Sequence, residues 1–144
     1  MPPSALHVAE PPAHYLVLPP LVVDCSVLAG LLFQEAWERQ AGDAIEARTL
    51  HAPHLLATEL TSVALKKHRL GMRDIASDGL AAFAQLDIAL HEVQPAQVLA
   101  LAIRYQLSAY DAAYLWLAAE LKAPLATFDA RLGTAAQTHL ASLD

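Results

Sequence analysis

Pro19-Pro20-Leu21-Val22-Val23-Asp24-Cys25-Ser26 is the stretch whose reading decides the fold. The proline pair interrupts regular structure before it, and a short β-branched run follows. The run is apolar at successive positions rather than alternate ones, as in a strand covered on both faces. It ends on an acid, and Asp24 or Ser26 can cap a helix that starts at once. The far end of the chain repeats the pattern. Pro124-Leu125-Ala126-Thr127-Phe128 is another short apolar strand, stopped by Asp129 and followed by a short helix from Ala130.

Between these anchors the spacing predicts a helix through Leu28, Leu31, Leu32 and Trp37 to about Arg39, with Gly42 beyond it. Thr49 to Ala52 reads as a second strand stopped by Pro53. His54 to about Leu70 is helical: Leu56, Leu60 and Val63 mark one apolar face, and Leu55, Glu59 and Val63 fall on an adjoining row. Gly71 ends it. A helix from Arg73 to Leu86 follows, then a weakly alternating strand over Ile88 to Val93. Pro95 opens a helix to Tyr105, and Ser108 caps one running through Leu121. The tail is expected to add a small edge strand. Strands alternating with helices predict an α/β fold, a parallel sheet with helices on both faces. Ligands of such sheets bind beyond the carboxyl ends of the strands, where the strand order reverses. Asp24 and Asp129 both lie at that end.

The chain has 144 residues, enough for one domain, and 56% of them are hydrophobic. That surplus leaves apolar surface for a second copy or a protein partner, and a homodimer is expected. No apolar run reaches the roughly 18 residues of a membrane span, so the chain reads as soluble. Residues 1–20 carry prolines at 2, 3, 11, 12, 19 and 20, with no basic start and no long apolar block. They read as a proline-rich arm rather than a signal peptide, ahead of a domain over 21–144. Cys25 is the only cysteine, so no internal disulfide can form, and a reducing cytoplasm fits. Its valine neighbours favour a buried filler over a reactive thiol.

The net charge of −6 argues against a general nucleic-acid binder. Bases cluster at Lys66, Lys67, His68, Arg69 and Arg73. Positive charge at a helix C-terminus is usually a solvated end; steering of phosphate by Lys66, Lys67 and Arg69 is the sharper reading. His51 and His54 lack further ligands at zinc spacing, so cap or surface roles suit them better. Trp37 and Trp116 sit in helical apolar patterns and read as core or interface. No G-x-x-x-x-G-K-[ST], G-x-G-x-x-G or G-x-S-x-G motif occurs.

Four acids stand at or beside element junctions. Asp24 and Asp129 each fit a helix cap as well as a ligand. Asp111 fits the capping box Ser108-Ala109-Tyr110-Asp111. Glu59 is the most informative, because a glutamate on a row with Leu55 and Val63 is poorly explained as wet surface; pairing with Arg48 or Arg104 is its plainer reading. Ser26 and Thr127 each stand two residues from an acid, where a hydroxyl can hold a carboxylate in place. Clustered acids lose hydration and repel, and a divalent cation is the cheapest compensation.

Together these residues resemble the PIN-domain ribonucleases, in particular the VapC-type toxins of toxin–antitoxin pairs. The resemblance runs from about Leu21 to the C-terminus. Its motifs are the D-x-S of Asp24-Cys25-Ser26, Glu59 in A-T-E-L-T-S-V-A-L, Tyr110-Asp111 in S-A-Y-D-A-A-Y, and the T-x-D of Thr127-Phe128-Asp129. Each motif is weak alone; all four in order are specific. The long arm and the negative charge depart from the family pattern.

The resemblance implies a three-layer α/β/α fold with a short central parallel sheet. It also implies hydrolysis of RNA phosphodiesters with Mg²⁺ or Mn²⁺. Asp24, Glu59, Asp111 and Asp129 would be the catalytic set, with Asp24, Asp111 and Asp129 as metal ligands and Ser26 and Thr127 behind them. An antitoxin inserting a basic side chain into the acids is the implied protein partner. Three rivals remain: a catalytically inactive PIN-like interaction module; a metal-dependent phosphatase, although the D-x-D that such phosphatases usually carry is here Asp24-Cys25-Ser26; and a helical protein whose acids are all caps, in which Glu59 would be dispensable.

Overall fold

In the computed structural model the described residues are His7, Ala9 and 18–144. The arm expected over residues 1–20 lies almost wholly outside them. The order of elements is β1 (Pro20–Val23), α1 (Cys25–Leu32), α2 (Glu38–Ile45), β2 (Thr49–Pro53), α3 (Leu55–Arg69), α4 (Arg73–Gln85), β3 (Ile88–His91), α5 (Pro95–Tyr105), α6 (Ala109–Leu121), β4 (Leu125–Ala126) and α7 (Ala130–Ala141).

All three strand pairings are parallel, in the order β3-β2-β1-β4. Successive residues of a strand face opposite sides. Leu21, Val22 and Val23 are all buried, so β1 is covered on both faces. On one side α6 packs across β1, β2 and β4, with α5 and α7 against it; α3 packs on β2, with α1 and α4 against it. Ala112 to Ala118 of α6 are all buried, and a helix that is apolar around its whole girth belongs in a core. The expected α/β architecture with a covered parallel sheet is therefore present.

Three local expectations fail. The last strand, expected to be buried over residues 124–128, is only Leu125–Ala126, half-buried, with Phe128 exposed beyond it. The first helix does not run to Arg39: α1 stops at Leu32, and α2 begins at Glu38 with Gly42 inside it. Gln34 adopts the left-handed conformation, φ 56°, which ends the turn. Trp37 then folds back over Gly30, where a Cβ would collide with the indole. The tail makes no edge strand; α7 occupies it as far as Ala141, longer than the short helix expected.

Because β2 and β4 flank β1, strand order reverses at β1. Asp24 directly follows β1, and Asp129 follows β4 three residues on. Asp111 lies in the first turn of α6, and Glu59 in the second turn of α3, the helix that leaves β2. Four elements thus deliver one acid each toward the carboxyl edge of the sheet.

Candidate active site

Asp24 is the one charged or polar residue that is buried among the described residues, at 5% exposure. Its backbone position comes from β1 and its side chain caps α1, Oδ1 accepting from the Val27 N–H at 3.2 Å. The same oxygen accepts from Ser26 Oγ at 2.6 Å, and Oδ2 accepts from Thr127 Oγ1 at 2.5 Å. Each hydroxyl is held in turn by a backbone N–H: Phe128 donates to Ser26 Oγ at 2.9 Å and Asp129 to Thr127 Oγ1 at 3.0 Å. The loop between β4 and α7 is thereby locked onto Asp24. Burial raises the Asp24 pKa; the bonds from Ser26, Thr127 and Val27 oppose that without reversing it.

Glu59 is half-buried and pairs with neither Arg48 nor Arg104. Its Oε1 accepts from the Tyr114 hydroxyl at 2.6 Å, across α3 and α6. Burial raises its pKa, the Tyr114 bond opposes this, and the charges of Asp24 and Asp111 add to the rise. Burial is also the first cause of the raised Asp111 pKa, with the charges of Asp129 and Asp24 next; Ser108 and Arg131 oppose it. These mutual repulsions join the four acids into one electrostatic cluster.

The caps are real as well. Ser108 Oγ accepts from the Asp111 N–H at 3.1 Å, and Asp129 Oδ1 accepts from the Leu132 N–H at 2.8 Å. Helix capping and membership of the cluster coincide in Asp24 and Asp129, so neither reading displaces the other. Asp111 takes part in the cap through its backbone N–H, and the Ser108 hydroxyl also favours its charged carboxylate, so cap and cluster share this residue too.

The donor set suits a hard dication: carboxylate oxygens, raised pKa values that a cation would bring down, and no soft ligand taking part. Burial, then Glu59 and Asp24, push the Cys25 thiol up to about 12, so its thiolate is suppressed beside the acids. Among the described residues no three His, Cys, Asp or Glu side chains converge closely enough to enclose an ion by themselves. An ion held by these carboxylates would have to take part of its coordination from water.

The other anticipated residues lie elsewhere. Lys66, Lys67 and Arg69 occupy the last turn of α3, about 10 to 15 Å along the helix from Glu59. Lys67 is spent on Glu35, Nζ to Oε1 2.6 Å. His51 meets His91 rather than His54, ring nitrogen to ring nitrogen 2.9 Å. Trp116 is buried and donates to Gln97 Oε1 at 2.7 Å, whereas Trp37 is 38% exposed. Tyr114 and Arg131 were not singled out by the sequence. Tyr114 lies one turn after Asp111 on the same helix face, which is the signal that could have found it.

Comparison with known proteins identifies the family and the fold. The PIN domain family profile matches residues 21–137. The chain belongs to the PIN-domain family. It resembles ribonuclease VapC9 of Mycobacterium tuberculosis, 36% identical over 124 residues, covering 83% of this chain and 93% of that protein. Ribonuclease VapC3 of Pyrobaculum aerophilum is 36% identical over 119 residues, covering 78% of this chain and 91% of the relative. These likenesses make it a PIN-domain protein of the VapC type. The crystal structure of PAE2754 from Pyrobaculum aerophilum shares the fold, with TM-score 0.66 at 24% identity over 85% of this chain and 93% of that one. Within this PIN domain the acid cluster stands where strand order reverses, at β1.

Proposed function

We propose that the chain is a metal-dependent endoribonuclease and the toxin of a toxin–antitoxin pair, with residues 21–144 as the nuclease domain and 1–20 as an arm ahead of it. The observation that carries the reading is the coupling of Asp24, Glu59, Asp111 and Asp129 at the carboxyl edge, with Asp24 held by two hydroxyls. The ribonuclease names of the VapC relatives support the substrate class.

In this reading Asp24, Asp111 and Asp129 would hold Mg²⁺ or Mn²⁺, directly or through water, and an ion of that kind would supply Lewis acidity toward the phosphate and the attacking water. Ser26 and Thr127 fix the orientation of Asp24, so that the lone pair left on Oδ2 has a set direction. Glu59 orients the attacking water and accepts its proton. Tyr114 holds one Glu59 oxygen so that the other serves that water. Arg131, whose charge lowers the Asp111 pKa, would meet charge building on the phosphate.

The same acids would accept an arginine from an antitoxin, which excludes the cation by charge. Leu99 and Ile103, one turn apart and exposed on α5, provide apolar surface for a second copy of the chain. No helix among the described residues is long and apolar enough to cross a membrane. The lone thiol Cys25 suits a reducing cytoplasm.

The test is cleavage of RNA by purified protein with Mg²⁺ or Mn²⁺, with chelator, and in Asp24→Asn and Glu59→Gln. Metal-dependent cleavage lost in both variants supports the proposal. Binding without cleavage, or release of phosphate from small monoesters with RNA intact, overturns it.

A further inference from the structure

Ser26 does more than orient Asp24. Its carbonyl accepts from Trp37 Nε1 at 3.3 Å, and its hydroxyl accepts from the backbone N–H of Phe128 at 2.9 Å. Two aromatic residues from distant parts of the chain are therefore tied to one residue beside the acid. Their rings meet, centroids 6.1 Å apart and planes inclined at 56°. Trp37 is 38% exposed and Phe128 43%. Phe128 lies between Thr127, which bonds to Asp24, and Asp129, which belongs to the acid cluster.

Three physical facts bear on these wet rings. Apolar rings left exposed side by side forgo burial, and contiguous apolar surface of this kind marks a binding site. Every nucleobase has a π-face, and stacking one base on an aromatic side chain contributes roughly one to two orders of magnitude in affinity. The chain carries a net charge of −6, so neutralisation of phosphates cannot supply most of its affinity for RNA. A contact insensitive to charge has to do so.

We propose that Trp37 and Phe128 form an aromatic shelf that stacks an unpaired base next to the scissile phosphate. This rests on the nuclease reading above and adds the recognition element. Bases inside a duplex are stacked on each other and cannot reach a shelf; only splayed bases can. The inclination of the rings leaves the indole as the platform and the phenyl ring as the wall against the base edge.

The experiment uses the Asp24→Asn protein, so that RNA is retained, and a single-stranded oligoribonucleotide of about ten nucleotides. Tryptophan emission is read during titration. Trp37 is exposed and Trp116 is buried, so stacking quenches the first. Quenching by the single strand, its loss in a Trp37→Phe background, its persistence with Trp116→Phe and its absence with a blunt duplex are the expected results. In wild-type protein with Mg²⁺, Trp37→Ala and Phe128→Ala each lower kcat/KM about ten- to hundredfold. RNA with an abasic ribose beside the cut loses the same factor with wild type and nothing further with Trp37→Ala. Equal cleavage by Trp37→Ala and wild type, or equal quenching by duplex, overturns the shelf. So does a result in which Trp37→Ala weakens capture of a protein partner while RNA cleavage is unchanged. Quenching without any cleavage by wild type would instead sink the nuclease reading and leave the shelf standing.

Discussion

The Tyr114 hydroxyl donates to Glu59 Oε1 at 2.6 Å, joining the core helix α6 to the acid-bearing helix α3. Tyr114 is buried, and burial followed by the Glu59 bond raises the pKa of its phenol, so it remains a donor throughout the working range. The bond decides which way Glu59 faces. In Tyr114→Phe the carboxylate loses its one protein partner among the described residues, while the ring still fills the core. Stability measured by urea denaturation should fall by about 1 kcal/mol, because half-buried Glu59 recovers part of the bond from water. Cleavage should fall about ten- to hundredfold, mostly in kcat, since a residue that positions a base has been removed rather than the base.

Glu59→Gln separates the electrostatic cost of the cluster from its chemistry. The amide keeps an oxygen for Tyr114 and removes a negative charge facing Asp24 and Asp111. The folded-state pKa of Glu59 is raised, so the native protein holds its proton to higher pH than the unfolded chain does. Stability is therefore lost as pH rises from the ordinary glutamate value through the folded one, and the loss is complete above it. Metal-free Glu59→Gln should be more stable than wild type at about pH 8 by a few tenths of a kcal/mol after solvent screening, and indistinguishable near pH 4. Adding Mg²⁺ should raise the wild-type melting temperature more than that of the variant and close the gap. Cleavage by the variant should be lost.

How far the sequence carried these conclusions depends on where the signal lay. β1, α3 and α6 were legible because their apolar patterns are strong and their ends carry Pro20, Gly71 and Ser108. The break after Leu32 was not, because it depends on Trp37 packing back over Gly30, a contact that no local propensity encodes. The acids were visible because each stands at or beside a junction. That Ser26 and Thr127 close on the same carboxylate was not, since Thr127 is 103 residues from Asp24 and only the sheet brings them together. Tyr114 looked like core because it is core; its hydroxyl alone belongs to the site. Arg131 carried no signal, because an exposed base after a helix cap is usually plain surface.

His51 and His91 give a pH dependence of opposite sign. They face each other on adjacent strands, ring nitrogens 2.9 Å apart, and burial together with the charge of His91 lowers the His51 pKa. The unfolded chain takes up a proton at His51 near its ordinary 6.5 while the native protein resists it. Stability is thus full above that value and lost as pH falls through it toward the lower folded pKa. His51→Gln should reduce the drop in urea stability between about pH 7.5 and pH 5.5 by a few tenths of a kcal/mol, because the pair is only part-buried and solvent screens it. An unchanged drop would assign the effect elsewhere, His139 against Tyr105 being the next group with a lowered pKa.

Two glycines should respond oppositely to the same added methyl group. At Gly30 in α1 a Cβ would strike the Trp37 indole, and at Gly79 in α4 it would strike the Phe33 ring and the Leu32 carbonyl. Trp37 is partly exposed and can swing into water, whereas Phe33 is 1% exposed and has no room to move. Alanine also improves a helix interior by roughly 1 kcal/mol over glycine. Gly30→Ala should therefore change stability by less than about 1 kcal/mol while expelling the indole, seen as a red shift of tryptophan emission. Gly79→Ala should cost about 2 kcal/mol net of that gain, since a fixed ring and a backbone carbonyl must both shift. Gly30→Ala thus removes the Trp37 ring from Ser26 without touching an acid. Its cleavage of single-stranded RNA should fall as far as that of Trp37→Ala, measured as kcat/KM on the same oligonucleotide.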